Sequence, residues 1–158
     1  MQDVTSETVE ELDFKDRVIK MSLGFNYLVV ATATQCCIYN ASNWNTPFIS
    51  DIKETVKLIV QCSKHFLMAD SISGIKLYSL EGKLISNTKF QGLRPELLNK
   101  ENVSLSPDTL AIVDRTDQKT IRFFDTNTGK ALGEPLTHTL EVREVLLNQQ
   151  GGLTERLG

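Results

Sequence analysis

Long hydrophobic runs are missing from this sequence. Its longest apolar stretches are of strand length, far short of the roughly 20 residues that a bilayer-spanning helix needs. The opening Met1-Gln2-Asp3-Val4 is polar and acidic, unlike a secretory signal or an Arg-rich transit peptide. Histidine is scarce. His65 and His138 stand far apart, without cysteine or carboxylate neighbours at zinc-ligand spacing, and His65 reads as a surface or rim residue at a turn. Cysteine is scarce too. Cys36, Cys37 and Cys62 form no CxxC pair, and an odd count without a signal peptide points to reduced thiols in a cytosolic setting. Cys36 and Cys37 are adjacent, so in a strand they point to opposite faces. Neither has a base or a cation beside it in sequence to activate it, which leaves a buried apolar role.

No charge of one sign dominates. There are 17 basic and 20 acidic residues, for a net charge of −3, and the basic ones are scattered. That excludes a global attraction to nucleic acid or anionic lipid. P-loop, GxSxG, HExxH and EF-hand patterns are all lacking. Without secretion, the sequons Asn40-Ala41-Ser42 and Asn102-Val103-Ser104 read as chance matches. Helical periodicity is lacking as well, apart from a short turn around Pro95-Glu96-Leu97-Leu98. Residues 7–14 read as a helix or, preferably, an outer strand.

What the sequence does contain is short β-branched and aromatic runs, punctuated by turn residues. Val18–Leu23, Tyr27–Thr32, Gln35–Tyr39 and Pro47–Ile49 form one four-strand meander. Val56–Gln61, His65–Ala69, Ile75–Ser79 and Lys83–Ile85 form a second. A third runs from Val103 through Leu132, and a fourth begins at Val142 and is cut off after Gly152. Tyr39, Tyr78 and Phe124 recur in step, each behind an apolar residue, at the roughly 40–46 residue spacing of four-stranded repeats. An aromatic at that place fills the wedge between neighbouring sheets. A β-sandwich with ordinary sheet-face aromatics is the alternative.

The third meander carries the most specific grammar: Ser106-Pro107-Asp108, then Leu110–Asp114, Ile121–Asp125, Thr128-Gly129-Lys130, His138 and Val142. It resembles a WD repeat. Asp125 takes the Asp of the Trp-Asp pair with Phe124 in place of Trp, and His138 takes the loop histidine, though Thr137 replaces the preceding Gly. Asp114 and Asp117 are the alternatives for the carboxylate that such a histidine contacts. The resemblance implies structural roles for Asp114, Phe124, Asp125 and His138. The expected fold is therefore all-β, a partial WD-type β-propeller of about three four-stranded antiparallel blades plus the inner strand of another. The expected divisions are 1–17 as the outer strand of a preceding blade or an extended lead-in, 18–52 as blade 1, 53–101 as blade 2 with a long connecting loop, 102–138 as blade 3, and 139–158 as a truncated blade 4.

A more specific likeness covers nearly the whole length. Leu12 to Met21, Asn43-Trp44-Asn45-Thr46-Pro47, Lys64-His65-Phe66-Leu67 and Val103-Ser104-Leu105-Ser106 together resemble the intraflagellar transport protein 80 family, WD-repeat subunits of intraflagellar transport complex B. Members carry two propellers and a helical tail; this stretch is similar to the start of the second propeller, as in a fragment or short isoform. The resemblance implies a non-enzymatic scaffold that supports cilium assembly, with other complex B subunits as partners, in the cytoplasm and in the cilium from basal body to axoneme. A generic WD-repeat adaptor in a vesicle coat or ubiquitin ligase is the alternative. No catalytic residue, cofactor, metal, small-molecule substrate, nucleic acid or membrane insertion is expected. Two places offer contact chemistry: the loop Asn87–Glu101, where Phe90, Arg94 and Leu97 combine an apolar anchor with a basic rim, and Trp44 at an outer turn. Uncovered blade faces of several hundred Å² would forfeit on the order of 10 kcal/mol each, so self-association through open faces is expected.

Overall fold

A computed structural model describes residues 11–149 and 152–157. The strands fall where β-branched and aromatic residues cluster, and the turns where Asp, Asn and Gly interrupt them. β1 (Val18–Gly24), β2 (Tyr27–Thr32), β3 (Gln35–Asn40) and β4 (Asn43–Asp51) form one antiparallel meander in sequence order. β5 (Val56–Gln61), β6 (His65–Asp70), β7 (Gly74–Ser79) and β8 (Leu84–Thr88) form the next. β9 (Val103–Leu105), β10 (Thr109–Val113), β11 (Thr120–Asp125) and β12 (Leu136–Thr137) form a third. β13 (Val142–Leu147) and β14 (Leu153–Leu157) close the order as a hairpin. The described residues contain no helix long and apolar enough to cross a membrane; a 3-10 turn, Pro95–Leu97, interrupts the long loop before β9.

The hydrophobic core lies between sheets. Val29, Ala31, Cys36 and Ile38 of the first sheet pack on Val56, Ile59, Phe66 and Met68 of the second. Leu58, Leu67, Ala69, Ile75 and Leu77 on the second sheet pack on Val103, Leu105, Leu110, Ile112 and Phe124 of the third. Ala111, Val113 and Ile121 then meet Val142, Val145 and Leu147 of the hairpin. The second sheet thus buries both faces. That explains why β6, His65–Asp70, is buried along nearly its whole length and reads as a continuous apolar run instead of an alternating one. Each such Leu, Ile or Phe contributes about 1.5–3 kcal/mol by leaving water.

Tyr78 and Phe124 occupy the inter-sheet wedges, each on the face turned to the preceding sheet. Tyr78 stacks on Phe66 with centroids 5.5 Å apart, and Phe124 stacks on Phe90 at 5.5 Å. Tyr39 holds the same position in the first sheet. Its cover comes from the lead-in, where Phe14 meets the ring edge-on at 6.1 Å, and from Trp44 at 6.1 Å. Met21 and Leu23 pair across the ladder with Val30 and Leu28 and so share this outward face, yet they stay exposed.

Glycine joins the sheets at two equivalent outer turns. Gly82 (φ +94°) lies against the Phe48 ring, 2.2 Å from where a Cβ would stand. Gly129 (φ +75°) lies against the Asn87 carbonyl oxygen, at 2.4 Å by the same measure. Each turn presses on the outer strand of the sheet before it, and the backbone conformation also favours glycine.

The structure departs from expectation in four places. The preferred strand at residues 7–14 falls partly on residues outside the described set, and residues 11–17 hold no strand; Leu12 and Phe14 pack there as a lead-in. The third sheet gets its outer strand from Leu136–Thr137, because Ala131 makes only an isolated bridge to Phe124. β13 is not a lone inner strand: Leu153–Leu157 folds back on it, with Val145 opposite Glu155. His65 is not a rim residue but is buried.

Candidate interaction surfaces

Two of the expected WD-repeat positions, Asp114 and Asp125, staple turns. The Asp114 carboxylate accepts hydrogen bonds from the Thr116 amide (2.9 Å) and hydroxyl (2.7 Å), and from Arg122 Nε at 2.8 Å. Burial pushes this carboxyl up, but the Thr116 and Arg122 contacts outweigh it and hold the group below the usual carboxylate range. Asp125 Oδ1 accepts from the amides of Asn127 (2.7 Å) and Thr128 (3.1 Å). Asp70 Oδ1 does the same for Ile72 and Ser73. These carboxylates satisfy amides that a tight turn would otherwise leave unpaired.

His138 does not meet Asp114 or Asp117. Asp117 Oδ1 accepts from the Lys119 and Thr120 amides, and its Oδ2 from the Thr120 hydroxyl. That hydroxyl lies 3.2 Å from Thr137 Oγ1, so the turn is satisfied before the imidazole arrives. His138 Nε2 instead lies 3.2 Å from Glu155 Oε1, too poorly aligned for a hydrogen bond. The contact needs β14, which the sequence reading did not foresee.

The long loop folds back on its own side. Phe90 and Leu93 pack on the second core, Leu98 is buried, and the Arg122 guanidinium sits 5.5 Å from the Phe90 ring centroid. Arg94 and Leu97 point outward; Arg94 Nε pairs with Glu96 at 3.1 Å, and both side chains are well exposed. Trp44 turns inward to Tyr39 and the outer-face cluster.

Polar contacts between sheets were not legible in the sequence, because a serine or glutamine within a strand carries no marker of its long-range partner. Ser22 Oγ donates to Gln61 Oε1 (2.6 Å), and Gln61 Nε2 donates to the Gly24 carbonyl (3.1 Å). Ser86 Oγ donates to the Thr126 carbonyl (2.6 Å), and the Leu147 amide to Ser104 Oγ (2.8 Å). His65 Nε2 lies 3.4 Å from the Ser106 carbonyl oxygen.

Reactive chemistry is poorly supplied. Burial, aided by neighbouring Cys37, pushes the Cys36 thiol up to about 12. Burial also raises Cys37 and Cys62. At neutral pH all three stay thiols, which are weak nucleophiles. Among the described residues, no three His, Cys, Asp or Glu side chains gather where they could hold a metal ion.

The comparisons with known proteins agree with this architecture. The family described as IFT80 second beta-propeller matches residues 1–157. The intraflagellar transport protein 80 homolog of Rattus norvegicus is 48% identical over 99% of this chain, and that of Mus musculus 47% over the same share. The chain spans about one fifth (20%) of the length of each. Among solved structures, Kluyveromyces lactis Hsv2 superposes with a TM-score of 0.69 at 17% identity, covering 98% of this chain and 50% of that one. The computationally designed Ika4 protein gives 0.59 at 12% identity, covering 95% of this chain and 99% of that one. At such identities these two speak for the fold alone. The stacked meanders and the match across almost every residue lead to one assignment: the chain belongs to the IFT80 second β-propeller family.

Proposed function

We propose that this chain is a non-catalytic scaffold element of intraflagellar transport complex B that supports cilium assembly by holding other complex B subunits. The observation that carries the reading is the family match over residues 1–157. The buried thiols and the turn-bound carboxylates support binding over catalysis. The proposal includes no small-molecule substrate, cofactor, nucleic acid or membrane insertion, and its setting is the cytoplasm and the cilium, from basal body to axoneme. Arg94 and Leu97 are the loop residues free to touch a partner, with Phe90 packed on the core beneath the loop; Trp44 packs separately against Tyr39 on the first sheet. Self-association is a companion proposal. It rests on Met21 and Leu23 on the outward face of the first sheet and on Leu146 of β13, all exposed.

Affinity purification of the tagged chain from ciliated cells tests the scaffold reading. Enrichment of intraflagellar transport subunits, reduced by Leu97→Asp with Arg94→Glu, is expected. Recovery of vesicle-coat or ubiquitin-ligase components in their place contradicts it.

A further inference from the structure

The entry ends of the inner strands gather lysines. Lys20 of β1, Lys57 of β5 and Lys100, just ahead of β9, line one cavity of about 330 Å³, together with Met21, Leu58, Ile59, Leu98 and Asn99. Lys20 and Lys57 come from the first and second sheets and Lys100 from the loop leading into the third, and all are exposed. Backbone irregularity contributes to this placement. The ladder register shifts between Val56 and Leu58, so Lys57 is the extra residue of a β-bulge, and a like shift between Val18 and Lys20 precedes the first lysine. Bulges of this kind re-aim side chains out of the pleat.

No carboxylate lines the cavity. None of the three lysines joins a salt bridge among the described residues, where the ion pairs involve Arg94, Arg122, His138 and Arg156. Glu96 of the long loop is close enough to feel Lys57, as the weakest of the influences on it, and is itself committed to Arg94. A local excess of three positive charges on a chain of net charge −3 is an unmatched potential, and it attracts carboxylates.

The geometry points to this cavity as a docking site for an acidic linear peptide segment of a partner protein, with glutamate or aspartate facing Lys20, Lys57 and Lys100 and the peptide lying over the Leu58, Ile59 and Leu98 lining. The apolar wall favours a peptide over a polyphosphate. The overall negative charge disfavours nucleic acid, whose binding relies on broad positive surface. The site does not depend on the ciliary setting, so a purified chain and a synthetic peptide test it separately from the scaffold reading.

Fluorescence anisotropy of a labelled peptide of alternating Glu and Leu, titrated with the chain, is the direct experiment. Saturable binding is expected to weaken with added salt and to fall about tenfold when Lys20→Gln, Lys57→Gln and Lys100→Gln are combined. Lys83→Gln with Lys130→Gln, on the outer turns, should leave it unchanged. Circular dichroism confirms folding of each variant. Should the triple variant not fold, the three single variants make the same comparison, each with a smaller loss. Absence of saturable binding, binding retained by the lysine variants, or equal capture of a single-stranded RNA oligonucleotide or a phosphatidylserine vesicle overturns the proposal.

Discussion

Gly129 and His65 show how single residues tie one sheet to the next. At Gly129 a methyl group would meet the Asn87 carbonyl oxygen, which is fixed backbone, and the φ of +75° would strain any L side chain. Gly129→Ala is therefore expected to cost about 2–3 kcal/mol. Gly82→Ala meets only the ring of Phe48, which is 43% exposed and free to swing, and should cost less, about 1–2 kcal/mol. Thermal melts of the two variants check the order. Burial lowers the His65 pKa from its ordinary 6.5, against a smaller upward pull from the Ser106 carbonyl. Well above pH 6.5 the ring is neutral in both the folded and unfolded states, so it adds no pH dependence. As pH falls below 6.5, the unfolded chain takes up a proton that the folded chain resists, and stability drops until the lowered native pKa is passed. The melting temperature should decline as pH falls through and below 6.5, and more gently in His65→Gln. An identical slope in both proteins contradicts this assignment.

At the scale of the element, legibility followed local information. The strand read as His65–Ala69 was visible because Phe66–Ala69 form an unbroken apolar run between turn signals, as a doubly covered strand should; Val56–Gln61 was visible from Leu58–Val60 even though Lys57 interrupts it. The turn roles of Asp70, Asp114 and Asp125 were visible because an Asx turn reaches only two or three residues along the chain. β12 was not, since Leu136–Thr137 is two exposed residues whose only reason to be a strand is its pairing with Thr120 and Ile121. β14 was missed for the same reason: Leu153–Leu157 is polar and half exposed, and its register comes from β13. His138 was then matched to a nearby carboxylate because its true neighbour, Glu155, lies on that unforeseen strand. The wedge aromatics offer an element-scale test. Phe124→Ala removes a side chain buried between two sheets and stacked on Phe90; it should cost about 3–4 kcal/mol in urea titrations. The buried thiols of β3 should resist iodoacetamide in the native chain and react once it is unfolded.

Across the whole molecule, the sheets depend on one another. Each of the three inter-sheet clusters draws on two neighbouring sheets, so no four-stranded meander owns a complete core. Gly82, Gly129, Ser86 and Gln61 add contacts that exist only when neighbours are docked. This arrangement gives a rigid base whose loops can vary, which suits a protein that holds partners. It also makes folding a property of the stack. Trp44 is the sole tryptophan and reports on the first sheet, against Tyr39, whereas far-ultraviolet circular dichroism reports on all of them. Gly129 belongs to the third sheet's outer turn, two sheets away. Urea unfolding of wild type and Gly129→Ala, followed by both signals, is the most direct test that the sheets stand or fall together. Coincident transitions are predicted, with the Trp44 midpoint shifted in the variant as far as the dichroism midpoint. A Trp44 transition that stays in place while the dichroism curve moves or splits would contradict it.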